Sequence, residues 1–529
     1  MRTKNSLINI AISMLSYGII TVGTFFTRKI FTEVLGLEIV AIDSNFSKVV
    51  AALAIVELGL GVGIVYKLYK PILNKDWDKV AVILCFLRKC YVIIAAAVLG
   101  LGLCSAYFVT NFIRCHFSKI WLMSMFILYV LDTLASYLYA HKRAMFVADQ
   151  KNYANNIIHT IMQIVLFISQ FIVLKTTGSL EWFLIYKIIS RVCENVIISC
   201  RFNKRYKFIN LKIKSGMSAV EKKDLFKNMN ALLLHKIASF GTTTVSSLIV
   251  LDSFGMKCSG KYGNYDMVIM GISTITSEIF NGIIASFGNL LSASTRKKVY
   301  ENFSILYFVN YLMYSYIISS FICLITPFVS CWTGKDSTLG IITATFMAAY
   351  LYVYGMRQSI VMVKTSAGIY NQDKYMVLFG FFITFVSSFV LVKPFGIPGV
   401  MIGNIIGIML VPYWVQPYLV YEEIFKVKVS AYHLKFVLYT VLTGLYSFVC
   451  YQVCGKIRDM GIDYSLSHKI SSTINSTPDK CIFVSEMIIN FIVCLIIPNV
   501  MNLIIFCKTK EFKELYSYVK YFVKKKKSK

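Results

Sequence analysis

Arg28, Lys48, His235, Lys236 and Arg357 stand in or at the ends of apolar segments. Charge in such surroundings is costly and usually faces a cavity or a partner group. A surface of Arg and Lys suits an anion, above all a phosphate or pyrophosphate, which the guanidinium fork grips bidentately. These five are therefore the candidate binding residues for an anionic substrate in a central cavity. Glu57, Asp132 and Glu278 lie in similar segments and are candidates either to bind a coupling cation or to bridge helices.

Each has a plainer reading. Arg28 and Lys29 suit snorkelling to headgroups equally well. Lys187, Arg191 and Glu194 are spaced i, i+4 and i+3, so an Arg191–Glu194 ion pair is as good a reading as a site. His235 and Lys236 lie one turn into their segment and suit an interface. Tyr352, Tyr354 and Tyr370 flank Arg357 and suit either sugar stacking or an aromatic belt. Arg357, with apolar residues on both sides, is the hardest to explain away.

The elements that position these groups are membrane spans. The 529-residue chain is 57% hydrophobic and only 15% charged, yet carries 55 Lys and Arg against 26 Asp and Glu. A span needs roughly 20 apolar residues. About fourteen such segments fit, centred near 6–27, 38–66, 82–111, 119–140, 155–175, 179–200, 229–252, 264–292, 303–331, 338–363, 376–393, 396–420, 434–454 and 482–507. So little polar chain remains that no soluble nucleic-acid-binding face and no catalytic domain are expected. No Walker loop, HExxH or Gly-x-Ser-x-Gly on a strand is present, and Leu58-Gly59-Leu60-Gly61-Val62-Gly63 lies inside a span. The fourteen cysteines include no CxxC, so neither a disulfide framework nor a metal site is expected. The chain reads as a non-enzyme without a cofactor.

Alternate gaps between spans hold 35 Lys and Arg on one side and 13 on the other. The positive-inside rule then puts both termini in the cytoplasm, with the Lys524–Lys527 tail on anionic lipid. The longest basic gap follows the sixth span. The expected domains are an N-lobe 1–200, a basic cytoplasmic linker 201–228, a C-lobe 229–421, two extra helices 422–507 and a basic tail 508–529. Gly36-x8-Asn45-Phe46-x2-Val49 matches Gly255-x8-Asn264-Tyr265-x2-Val268. This is read as a parallel repeat in which each Gly ends a helix and each Asn-aromatic pair starts the next.

A succession of second-half motifs carries a resemblance: Phe287-Gly288-Asn289-Leu290-Leu291; Pro327-Phe328-Val329; Trp332-Thr333-Gly334; Arg357; Ala367 to Tyr375; Phe395-Gly396-Ile397-Pro398-Gly399-Val400 with Gly403; and Trp414 to Pro417. With Asn5-Ser6, Thr27 to Phe31, Leu35-Gly36 and Asn45-Phe46, it resembles the Wzx-type lipid-linked oligosaccharide flippases of the multidrug/oligosaccharidyl-lipid/polysaccharide (MOP) exporter superfamily. It covers about residues 1–450.

The resemblance implies an all-α integral membrane protein of two six-helix lobes, V-shaped and MATE-like, plus two C-terminal helices. It implies alternating access and movement of undecaprenyl-pyrophosphate-linked glycans across the bacterial plasma membrane for surface polysaccharide. Coupling to a proton or sodium gradient, and a polymerase and glycosyltransferases as partners, go with that reading. Arg28 and Arg357 match arginines of the first and tenth helices. Where the pattern reads Asp-Arg-Tyr, this chain has Asp373-Lys374-Tyr375; Lys374 lacks the fork, and Asp373 reads as a turn cap. Alternatives are a cation-coupled multidrug exporter, a lipid-linked peptidoglycan-precursor flippase, and a membrane glycan polymerase or ligase.

Overall fold

Two glycines set the architecture. At Gly36 the backbone takes φ 81°, ψ 171°, and at Gly255 φ 74°, ψ −177°. This region is essentially closed to residues with a Cβ. Each glycine therefore ends one helical limb, as the repeat predicts, and joins it to the next without a loop. The second half of that expectation fails. The helix resumes directly after each glycine, so Asn45 and Asn264 lie mid-helix and cap nothing. Asn45 is buried; its Nδ2 donates to the Ala41 carbonyl and to Ser259 Oγ, and its Oδ1 accepts from Ser247.

No atom lies within 4 Å of where a Cβ would stand at Gly36 or Gly255. The cost of Gly36→Ala or Gly255→Ala is thus backbone strain alone. We expect each to destabilise the detergent-solubilised protein by about 1–3 kcal/mol, and the double variant by the sum. Unfolding free energies within error of wild type would contradict the break.

The computed structural model describes residues 2–54, 64–65, 67–112, 116–149, 151–211, 219–460 and 478–527, and their side chains except at 2–11, 14, 112, 219–232, 285, 478–484, 518–519 and 521–527. The helices are α1 (Arg2–Leu53), α2 (Trp77–Phe112), α3 (Lys119–Tyr137), α4 (Ala140–Ala148), α5 (Tyr153–Thr177), α6 (Leu180–Arg205), α7 (Ala219–Ala293) and α8 (Arg296–Thr333). They continue as α9 (Ile341–Met356), α10 (Gln358–Ser366), α11 (Lys374–Phe395), α12 (Ile397–Leu410), α13 (Pro412–Val420), α14 (Ser430–Asp459), α15 (Pro478–Phe506) and α16 (Lys510–Lys527). No strand occurs among the described residues. Among them nine helices are long and apolar enough to cross a membrane. With the limbs of α1 and α7 counted separately, α3 with α4, α9 with α10 and α12 with α13 taken as single passes, and the basic α16 left out, the described residues give fourteen helical passes.

Caps punctuate the passes: Ser118 and Ser179 accept from the backbone N–H of Trp121 and Trp182 at the starts of α3 and α6. The exterior is apolar, with Val92, Phe108, Ile172, Val390 and Ile504 all more than half exposed. A water-soluble monomer rarely carries such surface, whereas lipid tails solvate it. The protein is a multi-pass, all-α membrane protein.

The chain forms two compact units, Met1–Gly263 and Asn264–Lys529. In the first, the early limb of α7 packs on α1, with Thr244 donating to the Lys48 carbonyl. In the second, α8 packs with α14 and α15, and Tyr311, Tyr446 and Ser315 share the amide of Asn502. The start of α16 is tied down through Lys510–Glu301 (2.9 Å) and Glu511–Lys435 (2.7 Å). Burial opposes the Glu511 carboxylate, but the bond from Lys435, a backbone N–H bond and the charges of Lys435 and Lys510 together outweigh it and hold its pKa below the usual range.

Candidate functional site

Three carboxylates organise the charges of the first unit. Asp43 accepts from Arg28 Nη1 at 2.7 Å and from the Tyr129 hydroxyl at 2.6 Å, while Arg28 Nη2 donates to Ser44 Oγ at 2.7 Å. Arg28 is buried and lies within a continuous helical limb of α1, not at its end. Asp132, on α3, takes the fork of Arg191 at 2.6 and 3.2 Å and Lys187 at 3.3 Å, both from α6. Glu194 accepts from Arg143 at 2.7 Å and contacts His159 Nδ1 at 3.2 Å. The fork of Arg191 thus goes across to α3, and Glu194 is held by Arg143 and His159.

Burial in these clusters is one-sided. The Asp132 side chain is 8% exposed, while Lys187 and Arg191 are 26% and 29% exposed. Likewise Glu194 is 4% and Arg143 30% exposed. Buried carboxylates fix the cations, and the outer edges of the cations remain accessible. That arrangement presents positive charge at low rotamer cost and suits an incoming anion.

Lys48 sits over the Tyr262 ring at 5.4 Å. His235 is half-buried and Lys236 exposed on the early limb of α7. Glu278 is exposed on the later limb and accepts from Asn281 at 3.3 Å. Glu57 lies outside the described residues.

In the second unit Arg357 stands at the junction of α9 and α10 (φ −72°, ψ −20°), half-buried. Its Nε donates to Gln416 Oε1 at 3.3 Å. Gln416 Nε2 donates in turn to Asp373 Oδ2 at 2.9 Å, and Lys364 Nζ reaches the same oxygen at 2.5 Å. Lys364 is 3% and Asp373 0% exposed by side chain. Asp373 therefore does not act as a turn cap; its carboxylate bridges α10 and α13 at the start of α11. Nor is Lys364 a loop cation. Tyr352 is no belt residue either: it is buried, and its hydroxyl accepts from Thr440.

The sequence gives no direct sign of Asp43, Tyr129, Arg143, His159 or Gln416, because each is recruited across helices. Arg143 and the buried Lys142 count as loop residues by position. They lie instead on the nine-residue α4, where Lys142 donates to Ser199 and Asn203 of α6.

No protein-family model matches the sequence, and no curated protein does. Solved structures do. The inward closed conformation of the lipid II flippase MurJ matches at TM-score 0.63 and 15% identity, covering 94% of this chain and 98% of that one. The fold is that of the MOP-superfamily transporters. An inward-facing multidrug resistance MATE transporter of that superfamily matches at TM-score 0.61 and 14% identity over 76% of this chain and 94% of its own. A mutant form of the Vibrio cholerae MATE transporter VcmN gives TM-score 0.56 at 12% identity, over 80% of this chain and 98% of its own.

Proposed function

We propose that this MOP-fold protein is a flippase that carries an anionic, lipid-linked glycan across the bacterial plasma membrane by alternating access. The observation that carries this reading is the reach of the MurJ-like fold. That match covers 94% of the chain, and what it leaves out is shorter than the α14–α15 pair. The two MATE matches above stop at 76% and 80%, and a MATE structure in the bent conformation (TM-score 0.51) at 84%. The exposed edges of Lys187, Arg191 and Arg143 and the half-buried Arg357 agree with an anionic headgroup better than with a cationic drug.

In this reading the substrate is an undecaprenyl-pyrophosphate-linked oligosaccharide for surface polysaccharide. Arg357 contacts the pyrophosphate, and Arg28, Lys48, His235 and Lys236 are further binding residues for the anionic substrate. Glu57, Asp132 and Glu278 are the carboxylates for a coupling proton or sodium, Asp132 in competition with its pairing to Arg191 and Lys187. Both termini lie in the cytoplasm, α16 rests on anionic lipid, and glycosyltransferases and a polymerase work on either side of the transport step.

The test is flipping of a fluorescent undecaprenyl-pyrophosphate-linked sugar in proteoliposomes. Arg357→Ala should lower the rate at least about tenfold, because a lost charge-assisted contact is worth roughly 1.5–3 kcal/mol. Arg357→Lys should recover only part of it. Equal rates in all three proteins, or efflux of a cationic dye with no movement of the lipid, would overturn the proposal.

A further inference from the structure

The helix pair α14–α15 meets α8 at sulfur. Cys323 of α8, Cys454 of α14 and Cys494 of α15 are all buried, and their Sγ atoms lie within 4.8 Å of one another. Cys450, one turn before Cys454, is fully buried in the same cluster, walled by Val493, Ile489 and Ile497. A lone buried cysteine packs as a small hydrophobe. Three from three separate helices, converging on one point, are a different observation. Metal–sulfur bonds of about 2.3 Å put ligand sulfurs roughly 4 Å apart, so shifts of under about 1 Å assemble a site.

We propose that Cys323, Cys454 and Cys494 form a binding site for a soft, thiophilic metal ion that staples α14 and α15 to α8. Cu(I) satisfies the three sulfurs as a trigonal ion; Zn(II) requires Cys450 as the fourth. The harder cations do not fit, because among the described residues the walls of the cluster offer no carboxylate. Each ligating thiol loses its proton to solvent on binding, including the one Cys494 now donates to the Ser319 carbonyl at 3.6 Å. The neighbouring contacts already fix the frame: Asn490 of α15 donates to the Cys323 carbonyl of α8. The guanidinium of Arg458, one turn beyond Cys454, is already paired with Glu486 at 3.5 Å. None of its residues is among the cations of the proposed transport function, and it does not depend on that reading.

The full-length protein, purified in detergent under a phosphine reductant without oxygen, is loaded separately with Cu(I) and Zn(II), desalted and assayed for metal per chain. One equivalent of either ion is expected, with affinity lowered at least about tenfold by Cys323→Ser or Cys494→Ser and unchanged by Cys193→Ser on α6. Retention of Cu(I) unaffected by Cys450→Ser supports the three-sulfur site; retention of Zn(II) lost in that variant supports the four-sulfur one. Peptide mapping after alkylation reads the same site without mutation, since bound metal should shield these cysteines and leave Cys193 reactive. No retained metal and no shielding, or a disulfide between two of the three under reductant, would overturn the proposal.

Discussion

Asp373→Ala is expected to lower the unfolding free energy by about 3–5 kcal/mol, the usual cost of removing one partner from a buried ion pair. The reason is the partner left behind. Lys364 is as buried as a core leucine and reaches Asp373 Oδ2 at 2.5 Å. Without that carboxylate its ammonium has neither water nor counter-charge close by, and desolvation is no longer offset. Gln416 also loses an acceptor, and with it the bridge to Arg357. Asp373→Asn keeps an oxygen for Gln416 but not the charge, so its loss should be intermediate. Exchanging both members for apolar residues of similar volume, Lys364→Met with Asp373→Leu, should restore most of the stability, because no charge is then buried. Chemical denaturation of the detergent-solubilised variants measures all of this. An Asp373→Ala protein as stable as wild type would mean that the pair contributes nothing.

The same network separates two consequences of one residue. If Asp373 serves only packing, the Lys364→Met/Asp373→Leu protein should transport normally once it is stable. If it also orients Arg357 through Gln416, the rescued protein should remain slow. The second outcome is expected, because the chain Arg357–Gln416–Asp373 is continuous at hydrogen-bond distances.

What could be read from the chain divides along a physical line. The spans, the all-α class and the glycine breaks are local properties. Each span follows from its own run of apolar residues, and Gly36 and Gly255 follow from a conformation that other residues rarely take. The ion pairs are not local. Arg191 and Glu194 share a helix face at i+3, and the sequence offers no reason to look further; Asp132 is distant in sequence and invisible to any window. Asn45 looked like a helix start because it follows a glycine, yet its partners Ser247 and Ser259 lie on α7. The thiol cluster escaped for the same cause: metal sites are recognised by short spacings, and these sulfurs come from three helices. Lys364 and Asp373 escaped for another. A polar stretch between spans reads as solvated, whereas here it folds back into the second unit and buries both groups.

Gly403→Leu should be more damaging than any single loss of polar contact outside a buried pair. Gly399, Gly403 and Gly407 repeat every fourth residue along α12 and form a smooth stripe against α11. A Cβ added at Gly399 would stand 2.0 Å from the Leu391 carbonyl oxygen, and one at Gly403 would stand 2.4 Å from the Ser388 backbone nitrogen. At Gly407 it meets Thr384 Oγ1 at 1.8 Å and the Gly380 carbonyl oxygen at 2.8 Å. These obstacles are largely backbone, so no rotamer change removes them and the helices must separate. In a bilayer, helix association draws on close packing of this kind because lipid is as apolar as leucine. Even alanine should cost about 1–3 kcal/mol at Gly403, the range for overpacking, and leucine more. Gly282, where an added Cβ meets nothing within 4 Å, is the control: Gly282→Ala should leave stability unchanged or slightly raised, since alanine is the better helix former. Equal unfolding free energies for Gly403→Ala and Gly282→Ala would refute the close α11–α12 contact. A large loss at Gly403 alone would establish it, and with it the rigidity of the segment that carries Gln416 toward Arg357.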